Sequence, residues 1–214
     1  MRKPLLASLV VAVALGAGAA GAQPSAMATP STPTGPVTQN DTRAYAMCLA
    51  RSRPRIAEDI LAMPYLSEDQ TRRAAQRMTG VDTCLTDTDV AAETRAPSLL
   101  EGMAVQLLGG RLAGANLTEV SALTDDQVIA RGLRPRNGYE DFSLCMVRGQ
   151  PDLVRGFVMA TPGTSVAQSA FREIVPHVPD CVGQGQHLSL DQRGLRAVLA
   201  VGLYRTLDML RPRT

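Results

Sequence analysis

Lysine is almost absent from the 214-residue chain, because Lys3 is the only one. An S-x-x-K serine nucleophile is therefore excluded beyond that point. Histidine occurs only as His177 and His187, and C-x-x-C, H-E-x-x-H and H-x-H patterns are missing, so no zinc motif is present. G-x-S-x-G, C-x-x-C-H and a phosphate-binding glycine loop are missing too. We therefore predict no catalytic residue, no metal site and no cofactor.

The N-terminal residues have the pattern of a secretory signal peptide. Arg2 and Lys3 precede an apolar run over 5–15, and small residues follow at 20–22. We expect residues 1–22 to be a signal peptide that is removed on export. The run is too short to span a bilayer, and no later run is long enough, so we expect no transmembrane segment in the mature chain. No cysteine follows the apolar run, which argues against a lipid anchor. The expected location is periplasmic or secreted.

The mature chain would carry almost no net charge. The formal charge of the whole sequence is +2, and loss of Arg2 and Lys3 leaves 20 arginines against 20 acidic residues. This balance gives no electrostatic reason to expect nucleic acid or an anionic membrane as a partner. Residues 23–39 are rich in Pro, Ser and Thr and are predicted to be a disordered linker.

Four cysteines are present, and an exported chain is expected to oxidise them to disulfides. Cys48 lies 36 residues before Cys84, and Cys145 lies 36 residues before Cys181. Equal spacing favours the pairs Cys48–Cys84 and Cys145–Cys181, although pairing between the halves remains open.

A shift of the sequence by 97 residues supports an internal duplication. The segment 45–51 then falls on 142–148, and Pro54 falls on Pro151. After the second cysteine of each half, a slip of one residue aligns three apolar positions, which are Leu99 with Leu195, Met103 with Leu199 and Leu107 with Leu203. We predict two tandem related helical repeats, each with one intra-repeat disulfide. The expected bounds are 40–113 for repeat 1, 114–137 for a connecting segment and 138–214 for repeat 2.

The residue pattern predicts an all-α fold, since no stretch alternates apolar and polar residues for long enough to form a strand. Asp41 is expected to cap the first helix, and Pro54 and Pro151 to begin the second helix of each repeat. S-x-x-Q capping boxes are predicted to begin at Ser67, Ser165 and Ser189. Thr124 with Gln127 is expected to open a short helix that runs to about Leu133.

Arg51 and Arg148 are the charged pair that the two halves share, each three residues after a cysteine. The plain interpretation is a charge at a helix C-terminus. The sharper one makes them candidate interaction residues for an anion or a partner's carboxylate between the repeats. Acidic pairs at 68 and 69, 87 and 89, 125 and 126, and 140 and 141 suit helix first turns and loops better than a hydrolytic pair.

The order of features resembles small uncharacterised exported proteins of alphaproteobacteria. The residues that carry the resemblance are Cys145, Pro151, Pro162-Gly163, Cys181 and Leu203-Tyr204-Arg205. The resemblance implies this architecture but no activity. From the residues themselves we expect a non-catalytic exported helical protein that binds a protein or an envelope component. The alternatives are an envelope hydrolase that uses a carboxylate pair or His177, and a small periplasmic stress chaperone.

Overall fold

The computed structural model describes residues 39–78, 84, 96–183 and 188–211, and all its regular structure is helical. These residues form ten α-helices and two 3₁₀ turns, at 175–177 and 179–181. The α-helices are α1 (Gln39–Ser52), α2 (Pro54–Ala62), α3 (Glu68–Met78), α4 (Ala96–Leu112), α5 (Leu117–Ala122), α6 (Asp125–Ala130), α7 (Gly138–Gly149), α8 (Pro151–Met159), α9 (Ser165–Ile174) and α10 (Gln192–Met209). The predicted all-α class is confirmed.

Proline breaks the long helical stretch at the same place in each half. Pro54 begins α2 and Pro151 begins α8, as predicted, and one residue separates each from the helix before it. The linking residues Arg53 and Gln150 share one backbone conformation, with φ of −138° at both and ψ of 65° and 55°. A residue before proline is pushed out of the helical region, and this steric effect turns the chain by the same amount twice.

Several helix starts are capped by residues other than those predicted. α1 begins at Gln39, so Asp41 lies inside the helix and is not its cap. Thr164 caps α9 because Ser165 is already helical, and Asp191 caps α10 in place of Ser189. The three predictions are therefore wrong. At α9 and α10 an oxygen acceptor one or two residues away accepts from the first turn instead.

Two other predicted caps are present. The Thr124–Gln127 capping box opens α6. That helix ends at Ala130, earlier than predicted, and Gly132 follows with a φ of +88° that an L side chain rarely adopts. At α3 the amide of Gln70 donates to the Ser67 hydroxyl, while its side chain accepts from the amide of Leu66.

The central packing involves five helices. α4 packs against α1 on one side and against α10 on the other, and α10 also packs against α7 and α8. Both α4 and α10 are buried over most of their length. One continuous hydrophobic core runs through both halves of the sequence, and a small second cluster forms around Leu123, Val128 and Leu144. No described helix is long and apolar enough to cross a membrane.

Candidate functional site

The cysteines form the two disulfides that equal spacing favours. Cys48 is bonded to Cys84, with the Cα atoms 5.8 Å apart, and Cys145 is bonded to Cys181, with the Cα atoms 5.6 Å apart. The first bond fixes the C-terminal half of α1, and the second ties α7 to a 3₁₀ turn. No thiol remains available as a nucleophile or a metal ligand.

Arg51 and Arg148 have different surroundings. Arg51 is exposed and donates to the side chain of Gln106 on α4, at 3.3 Å. Arg148 donates to the carboxylate of Asp125 and to the carbonyl of Leu123, so it ties α7 to the turn between α5 and α6. The interaction role predicted for this pair therefore has no common geometry to support it.

The acidic residues noted in the sequence lie in several environments. Glu68 and Asp69 are exposed in the first turn of α3, where both pair with Arg72. Asp125 pairs with Arg148, and the 87–89 segment lies outside the described residues. Glu140 is buried while Asp141 is exposed, so those neighbours do not act as a pair.

His177 lies in a 3₁₀ turn, and His187 lies outside the described residues. Within the described parts of the chain, no group of three or more His, Cys, Asp or Glu side chains is placed to hold a metal ion.

Glu140 is the centre of a buried ion cluster that the sequence did not reveal. Its carboxylate accepts from the backbone amide of Tyr65 at 2.8 Å and from that of Arg136 at 2.7 Å. The guanidinium of Arg136 donates to both carboxylate oxygens, at 3.0 and 3.1 Å, and Arg205 donates to one of them. Burial alone would raise the pKa of Glu140, but these hydrogen bonds and charges outweigh it and lower the pKa to about 2.

Arg205 reaches from α10 to the end of α2. Its Nε donates to the carbonyl of Leu61 at 2.7 Å, and one Nη donates to the carbonyl of Met63. Arg136 donates to the intervening carbonyl of Ala62 at 2.9 Å. These donors satisfy carbonyls that the last turn of a helix leaves without intrahelical partners.

A second buried cluster has the same chemistry. Glu101 of α4 accepts from Arg43 of α1 at 2.9 Å and from Arg196 of α10 at 2.7 Å. Arg196 also donates to three carbonyls at the end of α8, those of residues 157, 158 and 160. Each buried glutamate thus holds two arginines, and in each cluster the arginine from α10 donates to carbonyls at the end of a short helix. Burial lowers the pKa of both Arg196 and Arg205, and the paired glutamates oppose that effect.

An open cleft of about 650 Å³ lies beside the Glu140 cluster. Its walls come from the last turns of α2 and α10 and from residues 131–136. We call it the arginine cleft after the five arginines that line it, Arg131, Arg134, Arg136, Arg205 and Arg211. Three carboxylates, those of Glu58, Asp59 and Asp208, line it as well. Leu133, Tyr204 and Met209 give it an apolar part.

Arg111 holds together the acidic side of the cleft. One Nη donates to Glu58 at 3.0 Å and to Asp208 at 2.9 Å, and the guanidinium lies 4.1 Å from the centre of the Tyr204 ring. Burial raises the pKa of the Tyr204 phenol to about 12, so the ring stays neutral beneath the cation. A second open cleft of about 560 Å³ also has Glu58, Arg111 and Arg211 in its lining.

The cleft residues were only partly visible in the sequence. Arg134 and Arg136 lie in the predicted connecting segment 114–137, and Tyr204-Arg205 entered only through the resemblance. The sequence feature that could have indicated the cleft is the pair Arg134 and Arg136 around one proline, in a chain whose lysine is confined to residue 3. Glu58 and Asp208 are 150 positions apart, so only the fold brings them to one arginine.

No protein-family model, curated protein or solved structure matches the chain.

Proposed function

We propose that this protein is an exported, non-catalytic binding protein that holds a protein or envelope partner in the arginine cleft. The observation that carries the proposal is the cleft itself, whose volume lies in the range of ligand sites. Arginine and tyrosine, both present in its lining, are enriched at the energetic centres of protein interfaces.

The geometry supports a site that is ready before a partner arrives. Arg136 is fixed by Glu140 and by the carbonyl of Ala62, yet its side chain is still 40% exposed to solvent. Three of its five N–H groups are engaged on these partners, which leaves the others for a ligand. An immobilised guanidinium loses little entropy on binding, and this favours affinity.

The expected extracytoplasmic location has support from the disulfides, which persist in oxidising compartments. The predicted signal peptide and the resemblance to exported alphaproteobacterial proteins point to the same location. We therefore place the partner outside the cytoplasm.

We also propose that the two halves are copies of one helical unit. In support, α8 begins and ends 97 residues after α2, and α9 begins 97 residues after α3. The helix crossings offer a second argument. Gly102 of α4 lies against Ala46, and Gly202 of α10 lies against Ser143, which is 97 residues after Ala46. The two glycines are 100 residues apart. The last helices of the two halves therefore align about one helical turn away from the alignment of apolar positions predicted from the sequence.

The binding proposal can be tested by crosslinking in living cells. A photoreactive phenylalanine analogue would replace Leu133 or Met209 in the cleft, and Val166 would serve as the control. Val166 is 66% exposed, and it is not among the residues that line the cleft. We expect the same partner from both cleft positions and not from the control. Crosslinks only to other copies of the chain, or equally from position 166, would overturn the proposal.

A further inference from the structure

The charges in the arginine cleft divide into those that are neutralised and those that are not. Glu58 and Asp208 share Arg111, and Asp208 lies 3.8 Å from Arg211. Arg131 pairs with Glu119, and Arg136 and Arg205 share Glu140. Two charged side chains of the lining, Arg134 and Asp59, make no ion pair or hydrogen bond within the described residues, and both are exposed. Among the described residues, the cleft therefore presents Arg134 as a cation and Asp59 as an anion that lack a charged partner.

Arg134, Arg136 and Arg205 form a basic part of the cleft lining. Arg134 and Arg136 are separated by one residue, and Arg136 and Arg205 have a single carboxylate between them. An anionic group seated on Arg134 and Arg136 would find N–H donors on both side chains, because only three of the five N–H groups of Arg136 are engaged by Glu140 and Ala62. The planar guanidinium matches a carboxylate with two parallel hydrogen bonds.

The acidic residues of the lining disfavour a polyanion. Asp59 on α2 makes no ion pair within the described residues, so a chain of repeated negative charges would meet an uncompensated carboxylate there, whereas Glu58 and Asp208 share Arg111. A cationic group would be stabilised at Asp59 for the same reason. The apolar side chains of Leu133 and Met209 can cover the part of a ligand that lies between its two charges.

We infer that the arginine cleft binds a short peptide segment that carries a carboxylate beside a cationic group, with the carboxylate on Arg134 and Arg136 and the cation at Asp59. The inference rests on the proposed binding function and names its ligand. A peptide fits better than a lipid headgroup because the cleft, at about 650 Å³, is large enough for several side chains.

The test uses the full exported chain and three blocked tripeptides, which are glutamate-alanine-lysine, glutamate-alanine-glutamate and lysine-alanine-lysine. Binding is followed by NMR, through shifts of the arginine Nε–Hε signals. We expect the mixed-charge peptide to bind best and the all-basic peptide worst. Arg134→Gln should lower the affinity for the mixed-charge peptide and for the all-acidic peptide by about tenfold, because a charged hydrogen-bonding partner is lost.

Asp59→Asn is the more discriminating variant, because it should change the affinities for the mixed-charge and the all-acidic peptides in opposite directions. The mixed-charge peptide should bind more weakly to this variant and the all-acidic peptide more tightly. Asp152→Asn and Arg155→Gln are the matched controls, since they change an exposed Asp–Arg pair on α8, 3.0 Å apart, whose residues are not in the lining of the cleft. Neither control should alter any of the three affinities.

Three results would overturn the inference. The first is no binding of the mixed-charge peptide. The second is an Asp59→Asn substitution that changes the affinity for both probes in the same direction. The third is binding of vesicles that contain phosphatidylethanolamine in preference to every peptide. If the crosslinks from positions 133 and 209 persist in that case, the proposed binding function stands and only its ligand is wrong. If the crosslinks are lost as well, both the proposed binding function and the inferred ligand are contradicted.

Discussion

Glu140 accepts hydrogen bonds from three separate parts of the chain: the loop after α2, the segment before α7, and α10. The loop is also held by Asn137, which donates to the carbonyl of Tyr65 at 2.8 Å. A buried carboxylate costs several kcal/mol to desolvate, and here the loss is offset by two guanidinium groups and two backbone amides. Removal of the carboxylate would leave those four donor groups without their acceptor.

Glu140→Gln should destabilise the fold strongly. A neutral amide cannot compensate two arginines, and loss of one partner of a buried ion pair costs about 3–5 kcal/mol. The free energy of unfolding can be measured at pH 7 with urea and circular dichroism, since the chain has no tryptophan. Asp141→Asn is the control, because Asp141 is the exposed neighbour in the same turn. An equal loss in both variants would contradict the role given to Glu140.

The same carboxylate predicts an acid dependence of stability. Its pKa is about 2 in the folded protein against an ordinary value of 4.5, so the folded state favours the ionised form. The contribution of about 3 kcal/mol is fully present above pH 4.5 and is lost as the pH falls through 2. Unfolding free energies from pH 6 to pH 2 should therefore fall more steeply for the native protein than for Glu140→Gln. Parallel curves would show that another carboxylate is responsible.

At the residue scale, prediction from sequence succeeded where spacing along the chain carries the information. The disulfides and the two proline helix starts followed from offsets of 36 and 97 residues. The arginine partners that α10 supplies to Glu140 and Glu101 could not be predicted in this way, because Arg205 lies 65 residues from Glu140 and Arg196 lies 95 residues from Glu101. Long-range ion pairs of this kind leave no periodic trace in a single sequence.

At the scale of the elements, two glycines set how closely the central helices approach. A Cβ at Gly102 would lie 2.5 Å from the carbonyl oxygen of Arg43, and one at Gly202 would lie 2.6 Å from the Cβ of Ser143. Both distances are far below van der Waals contact. The α1–α4 and α7–α10 pairs therefore pack nearly backbone to backbone, which allows α4 and α10 to lie side by side in the core.

Gly102→Ala should destabilise the protein, whereas Gly109→Ala should not. The first substitution forces α1 and α4 apart, and overpacking of this kind costs about 1–3 kcal/mol. Position 109 lies on the same helix with no atom within 4 Å of an added Cβ, so the better helix propensity of alanine should raise stability by about 0.5–1 kcal/mol. Urea unfolding of both variants checks the sign. A neutral result at 102 would mean that the helices do not cross there.

Helix identity was easier to predict than helix bounds. The prolines located the second helix of each half, and the S-x-x-Q patterns at Ser67 and Ser165 located the third to within one residue. The predicted caps at Ser165 and Ser189 failed, since Thr164 and Asp191 compete for the same helix starts and only backbone geometry decides among them. The predicted cap at Asp41 failed because α1 begins before it. The arginine cleft could not be predicted from the sequence for a related reason, because its walls come from three distant segments.

At the scale of the molecule, α10 binds both halves together. Arg196 near its start caps α8, and Arg205 near its end caps α2. The hydrophobic core is equally undivided, since it contains Leu49 and Met103 from the first half and Phe142 and Leu199 from the second. Neither half can lose its structure without exposing part of the apolar surface of the other. The repeats predicted from sequence are therefore not expected to behave as independent folding units.

The disulfides provide a direct measurement of this coupling. Each closes a loop of the same size, with its cysteines 36 positions apart, so the chain-entropy model assigns about 4 kcal/mol to each bond. Replacing Cys48 and Cys84 by alanine, or Cys145 and Cys181, should thus lower the unfolding free energy by similar amounts. Because the core is shared, each double variant should still unfold in one transition, with the same midpoint by circular dichroism and by hydrogen exchange of amides in α1 and α7. Amides of α1 that open well before those of α7 in the Cys48→Ala, Cys84→Ala variant would show that the halves fold separately and that the ion clusters of α10 do not couple them.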